Sequence, residues 1–169
     1  GAIVDLSHVL ELDPGNSAAH EMRAEARYNQ RDYKGSIQDC TELLDRDPKN
    51  PWARRARGQS RQAQGDVVGA MADYTEAIKA EPENDWTYNQ RGMLLVDRHD
   101  YLAAIKDFDR ALKIRPRDYI VLSNRGRART RMGDFTGGMG DYSKALDLAS
   151  GYSPALFDLG VAQLYRGDL

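Results

Sequence analysis

Two kinds of charged side chain recur along this chain at a fixed interval of 34 residues. The arginines are Arg23, Arg57, Arg91 and Arg125. The aspartates are Asp5, Asp39, Asp73, Asp107 and Asp141. A guanidinium group binds a carboxylate through two parallel hydrogen bonds. The two sets could therefore pair with each other inside the protein, or the arginines could bind a ligand.

The histidines favour neither catalysis nor metal binding. His8 and His20 have no neighbours along the chain at metal-ligand or triad spacing. Asp97, His99 and Asp100 cluster and could suggest a site for a hard cation, but steps of 34 residues from His99 lead to glycine at three other positions. We therefore interpret His99 as a turn residue that tolerates a positive φ. We expect no enzyme activity, no metal site and no cofactor.

Three glycines lie within the stretch of residues 136–140. A glycine-rich loop can bind phosphate at a helix N-terminus, but no strand pattern precedes this one and no lysine follows in P-loop spacing. Each glycine costs about 1 kcal/mol relative to alanine in a helix interior. We expect a soft first helical turn here, with fast amide exchange.

Proline and small residues keep the same 34-residue interval. The prolines are Pro14, Pro48, Pro82 and Pro116. The small residues of one set are Ala24, Gly58, Gly92, Gly126 and Gly160. A 34-residue unit with this content resembles the tetratricopeptide repeat. The fullest match runs through Asn89-Gln90-Arg91-Gly92, Asp100-Tyr101, Ala104-Ile105, Ala111-Leu112 and Pro116.

The resemblance implies an all-α fold, in which about ten antiparallel helices form a right-handed superhelix of hairpins. We expect one array over residues 1–169, cut from a longer one. Residues 1–16 match the second helix of a preceding repeat, and residues 153–169 match the first helix of a following repeat. The four whole repeats are 17–50, 51–84, 85–118 and 119–152. A set of aspartates is expected to cap the second helices. These are Asp32, Asp66, Asp100, Asp134 and Asp168.

In the family, the position of the recurring arginines more often carries a leucine that faces the core. Burying a guanidinium or a carboxylate alone would be costly, so the sequence favours a structural charge ladder of arginine and aspartate pairs over a ligand site. Pairing within a repeat, as Arg91 with Asp107, and pairing between neighbours, as Asp73 with Arg91, both fit the spacing.

The resemblance also implies that the first helices line a concave groove that holds a peptide or partner segment. The predicted groove residues are Glu21, Glu25, Tyr28, Trp52, Arg55, Gln59, Trp86, Asn89, Gln90, Met93, Asn124, Arg127 and Arg131. Aromatic and arginine side chains are the usual anchors of interfaces, which favours Trp52 and Trp86. The alternative is that both tryptophans pack against the preceding repeat.

Arg55, Arg127 and Arg131 predict an acidic peptide as the partner, because guanidinium groups bind carboxylates. Chaperone-tail binding is not expected, since Gln59 and Gln90 stand where relatives that bind such tails carry asparagine. The runner-up function is end-to-end self-association through apolar faces at the two ends. Single-stranded nucleic acid is a weaker alternative.

The composition agrees with a protein partner. Lysine and arginine total 24 against 26 aspartates and glutamates, so the chain has no bulk attraction for polyanions. No apolar run approaches the length of a membrane span, and a soluble, cytoplasmic setting is favoured. Cys40 is the single cysteine, and we interpret it as a small buried apolar residue, with a redox role as the alternative.

Overall fold

A computed structural model describes residues 1–167, which form ten α-helices and no strand. The helices are α1 (Ala2–Leu12), α2 (Ser17–Asn29), α3 (Tyr33–Arg46), α4 (Pro51–Gln64), α5 (Val67–Ala80), α6 (Asp85–Asp97), α7 (Tyr101–Ile114), α8 (Tyr119–Arg131), α9 (Phe135–Leu148) and α10 (Ser153–Arg166). The all-α fold expected from the sequence is confirmed. Asp168, predicted as a cap, lies outside the described residues.

The chain divides into two compact units. The first comprises residues 1–82 and holds α1 to α5, and the second begins at Glu83 and holds α6 to α10. Within each unit, every helix packs against the next one along the chain. Each of the four predicted repeats holds two helices, the first pair being α2 and α3.

Helix starts are fixed by side-chain caps. The aspartate before each described second helix accepts a hydrogen bond from the third residue of that helix, with distances of 3.0 Å from Gly35, 2.9 Å from Gly69, 3.2 Å from Ala103 and 2.8 Å from Gly137. These caps, on α3, α5, α7 and α9, confirm the prediction. A second set, which was not predicted, caps α2, α4, α6 and α8. It consists of Asn16, Asn50, Asn84 and Asp118.

Glycine in the first helix lets an aromatic ring of the second helix lie directly against its backbone. A Cβ atom added at Gly92 would lie 2.7 Å from the ring of Phe108, and one added at Gly126 would lie 2.8 Å from the ring of Tyr142. Both rings are buried. The close helix approach expected from the small residues is therefore confirmed.

In the first repeat, Cys40 takes the place of that ring. Cys40 is fully buried, as predicted. Burial, with a smaller contribution from the neighbouring Asp39 carboxylate, raises the pKa of the thiol to about 12. Because the thiolate is the reactive form, this thiol is inert near neutral pH.

The glycine-rich stretch at residues 136–140 is part of α9. A Cβ at Gly138 would clash with the Thr130 hydroxyl and lie 2.9 Å from the carbonyl oxygen of Gly126. Gly140, in contrast, has nothing within 4 Å of an added Cβ. Gly138 is therefore required for the contact of α8 with α9, and Gly140 is not.

Two turns between hairpin helices place a residue with a side chain in the left-handed region. His99 has φ of 61° and Arg31 has φ of 64°. The positive φ predicted for His99 is confirmed. The equivalent strain at Arg31 was not predicted.

Candidate functional site

The recurring arginines and aspartates lie side by side inside single repeats. Arg57 donates from Nε and Nη2 to the two oxygens of Asp73 at 3.0 and 2.8 Å, and Arg125 does the same to Asp141 at 2.9 and 2.6 Å. Equivalent pairs form in the other two repeats, 16 residues apart along the chain. These are Arg23 with Asp39 and Arg91 with Asp107. The fifth aspartate of the set, Asp5, is exposed on α1.

A second arginine, one helical turn further along, binds the same carboxylate in three repeats. Arg27 donates to Asp39 at 2.8 Å, and Arg61 donates to Asp73 at 2.7 Å. Arg129 donates to Asp141 at 2.7 Å. The sequence analysis missed these residues, although the 34-residue interval also carries them. Leu95 stands at this position in the third repeat, so Asp107 lacks the second arginine.

The ladder arginines also reach the preceding hairpin. The remaining nitrogen, Nη1, lies 3.1 Å from the Ser7 hydroxyl in Arg23 and 3.3 Å from the Thr41 hydroxyl in Arg57. Hydrogen bonding to Asp73 raises the pKa of Arg57, which keeps this guanidinium charged. These groups are held by internal partners, so the ladder offers no free guanidinium surface to a ligand.

His20 is buried on α2, and the fold gives it neighbours that its sequence surroundings do not. Its Nε2 atom lies 3.1 Å from the carbonyl oxygen of Pro14. Its Nδ1 atom lies 3.5 Å from Asp39 and 3.5 Å from Glu42. The three side chains are close enough to surround a cation, which corrects the statement that His20 has no suitable neighbours. Asp39 already accepts hydrogen bonds from two arginines, so positive charge is supplied there by the protein.

In the first unit, the predicted groove residues are largely engaged by other parts of the chain. Trp52 is half-buried and packs against the cluster of Leu43 and Leu44 from the preceding repeat. Arg55 forms an ion pair with Glu81. The remaining predicted residues of this unit are half-buried, apart from one exposed glutamate. They are Glu21, Tyr28, Gln59 and the exposed Glu25.

In the second unit, several predicted groove residues come together. Asn124 donates to Asn89 at 2.9 Å, and both are largely buried. Gln90 and Trp86 are half-buried. A small cavity of about 50 Å³ is lined by four of the predicted residues or their neighbours on each side. They include Met93, Asp97, Asn124, Arg127 and Arg131.

Next to it lies a larger cavity of about 430 Å³, formed by α8, α9 and α10. We call it the aromatic cavity. Its lining includes Arg127, Arg131, Phe135, Phe157, Val161 and Tyr165. The last three were not predicted. The repeat interval would have found Val161 and Tyr165, because they lie 34 residues after Arg127 and Arg131.

The two arginines of the aromatic cavity differ in their partners. Arg127 donates from Nε to Asp158 at 3.0 Å, and its Nη2 is also 3.0 Å from this carboxylate. Arg131 is exposed and forms no ion pair or hydrogen bond with another residue of the range 1–167. Of the three arginines predicted to meet an acidic partner, Arg131 is therefore the one without an internal carboxylate.

The hairpins, their 34-residue interval and the cap positions define a helical-repeat protein. The model of the Tetratricopeptide repeat family matches residues 2–51 and 89–153, and the chain belongs to this family. Proteins built from this repeat are generally interaction scaffolds and not enzymes.

Solved structures with this fold are similar to the chain at low sequence identity. MamA 41-end from Desulfovibrio magneticus RS-1 is 16% identical, with a TM-score of 0.85 over 91% of this chain and 87% of that one. YrrB, described as a TPR protein with an unusual peptide-binding site, is 15% identical, with a TM-score of 0.81 over 96% and 84%. The first TPR of Spaghetti (RPAP3), bound to the HSP90 peptide SRMEEVD, is 20% identical, with a TM-score of 0.67 over 69% and 93%. None of the curated proteins matches the sequence.

The helices within residues 1–167 include none with the length and apolar character needed to cross a membrane.

Proposed function

We propose that this chain is a protein-interaction module that binds an acidic peptide or partner segment along the groove face of its second unit. The observation that carries the proposal is Arg131, an exposed guanidinium beside the aromatic cavity with no ion-pair partner within residues 1–167. A guanidinium in this setting can bind a carboxylate of another molecule without first breaking an internal pair.

The neighbouring groups suit an extended peptide. Asn89 and Asn124 are joined by a hydrogen bond and offer amide groups beside Met93. The similar structures include one bound to an acidic peptide, SRMEEVD. That likeness supports peptide binding as a use of the fold, and the acidic character of the partner rests on the arginines of this chain.

The test is a peptide array that carries acidic, neutral and basic 12-residue sequences, probed with the whole chain. We expect retention of acidic peptides, loss of that retention in Arg131→Glu, and no loss in the control Arg117→Glu. Arg117 is exposed and does not line the cavity. Equal retention of acidic and neutral peptides, or equal behaviour of the two variants, would contradict the proposal.

End-to-end self-association is the alternative, and exposed apolar side chains on both terminal helices favour it. Val4 and Leu12 are exposed on α1, and Leu156 and Leu164 are exposed on α10. In the repeat that α10 would form with α1 of a second copy, Asp5 would face a leucine at the ladder position. Its carboxylate would then be buried without an arginine, which is unfavourable. Sedimentation velocity over a range of concentrations tests this alternative.

A further inference from the structure

We infer that the aromatic cavity receives a bulky apolar side chain of the partner, next to an acidic residue that pairs with Arg131. This inference rests on the proposed function and specifies the sequence that the partner would carry. The ligand class is thus a short segment with a carboxylate and an aromatic or large aliphatic residue close together.

The cavity has the size and lining for such a side chain. Its volume of about 430 Å³ lies at the lower end of the range of roughly 300–1,000 Å³ typical of small-ligand pockets. Phe135 and Tyr165 stack across it, with ring centroids 6.5 Å apart and an angle of 24° between the rings. Tyr165 is 75% exposed. An inserted apolar group would cover these rings and remove their apolar surface from water.

The exposure of Tyr165 is a property of its position in the repeat. The equivalent residues of the preceding repeats are all exposed as well. They are Asn29, Ala63, Asp97 and Arg131. This position therefore faces solvent along the groove even where a further hairpin follows. An aromatic ring at a position that is open in every described repeat is available to a partner.

The charges beside the cavity select the second feature of the ligand. Asp158 holds Arg127, which leaves Arg131 as the guanidinium with no internal carboxylate within residues 1–167. Asp97 lines the neighbouring small cavity together with Arg131 and forms no ion pair with it. Because Arg131 borders both cavities, a carboxylate bound to it would lie next to the apolar group in the aromatic cavity.

The test is selection of a random peptide display library on the whole chain, followed by affinity measurement with the best synthetic peptide. We expect enriched peptides to carry an aromatic or large aliphatic residue within a few positions of aspartate or glutamate. Tyr165→Ser should weaken binding of that peptide by about tenfold or more. The control Leu164→Ser removes an exposed apolar side chain from the same helix, outside the cavity, and should leave the affinity unchanged.

The outcomes separate the two proposals. Acidic peptides without an apolar preference, or equal affinities of Tyr165→Ser and Leu164→Ser, would overturn the pocket assignment and leave the proposed function standing. A library that yields no peptide above background would overturn both. Circular dichroism of each variant establishes that the helices are intact.

Discussion

Arg91 binds Asp107 from Nε at 2.8 Å and from Nη2 at 2.7 Å. Asp107 is buried, and Leu95 stands where three other repeats carry a second arginine on the aspartate. Asp107 therefore depends on Arg91 more strongly than the equivalent aspartates depend on their arginines. This makes the third repeat the place where the energetic role of the ladder is easiest to measure.

Replacing Arg91 with leucine should lower the free energy of unfolding by about 3–5 kcal/mol, because it leaves a buried carboxylate unpaired. The double variant Arg91→Leu with Asp107→Leu should recover most of this loss. Urea denaturation of the wild type, both single variants and the double variant gives the coupling energy. Simple additivity of the two single effects would show that the pair does not act as a unit.

The second repeat provides the matched control. Arg57→Leu should cost roughly 1–2 kcal/mol less than Arg91→Leu, because Arg61 still donates to Asp73 at 2.7 Å. The same denaturation measurement compares the two variants. Equal losses would mean that the second arginine contributes no stability.

The glycines of α9 should respond in opposite directions to alanine. Gly140→Ala should raise the free energy of unfolding by about 1 kcal/mol, because its Cβ meets open space and alanine favours helix. Gly138→Ala should lower it, because its Cβ would press on the Gly126 carbonyl oxygen across the helix contact. Hydrogen exchange of residues 136–140 also tests the predicted soft turn, which uniform protection would contradict.

Arg31→Gly should stabilise the first repeat. A residue with a side chain at φ of 64° costs about 1–2 kcal/mol, and the greater flexibility of glycine in the unfolded chain offsets roughly half of that. The net gain expected in thermal or urea unfolding is roughly 0.5–1 kcal/mol. Gly65→Ala, at the equivalent turn with φ of 88°, should lose stability. A gain in the second variant would contradict the explanation.

Cys40 should resist thiol reagents while the chain is folded. Burial raises the pKa of this thiol to about 12, so at pH 8 the neutral form predominates. Reaction with 5,5′-dithiobis(2-nitrobenzoate) at pH 8 should be slow in buffer and fast in concentrated urea. Rapid labelling without denaturant would show that the first unit opens, or that the thiol has the redox role weighed against burial.

Asp97 provides a test of the charge selection at the groove. Asp97→Asn should strengthen the binding of acidic peptides by a few fold, because it removes a like charge from the cavity that Arg131 borders. Binding of a neutral analogue of the same peptide should not change. The comparison is made by fluorescence anisotropy at low and high salt, and an equal effect on both peptides would argue against a carboxylate at Arg131.

The repeat interval predicted most of the fold, because one set of positions recurs in every hairpin. The second-helix caps, the proximity of Gly92 to Phe108 and the turn at His99 all followed from this periodicity. The partners of polar side chains were harder to predict, since they depend on how neighbouring helices meet. Arg55 reaches Glu81 and Arg127 reaches Asp158, and neither pair is separated by a regular repeat interval.

The aromatic cavity was missed for a different reason. The groove positions were followed through the four whole repeats and not into the last helix, where Val161 and Tyr165 continue the same sets. For Trp52, the sequence left anchoring and packing equally open. Its contact with Leu43 and Leu44 depends on the angle between neighbouring hairpins, which sequence spacing does not specify.

The ladder also changes the electrostatic field around the molecule. Seven arginines bind its four buried aspartates, so it withdraws more positive than negative charge from the surface. The arginines are Arg23, Arg27, Arg57, Arg61, Arg91, Arg125 and Arg129. The solvent-facing surface is therefore more negative than the formal net charge of −2 indicates. Nucleic acid approaching from a distance would be repelled, and an acidic segment would be attracted only at short range, once it reaches the groove beside Arg131.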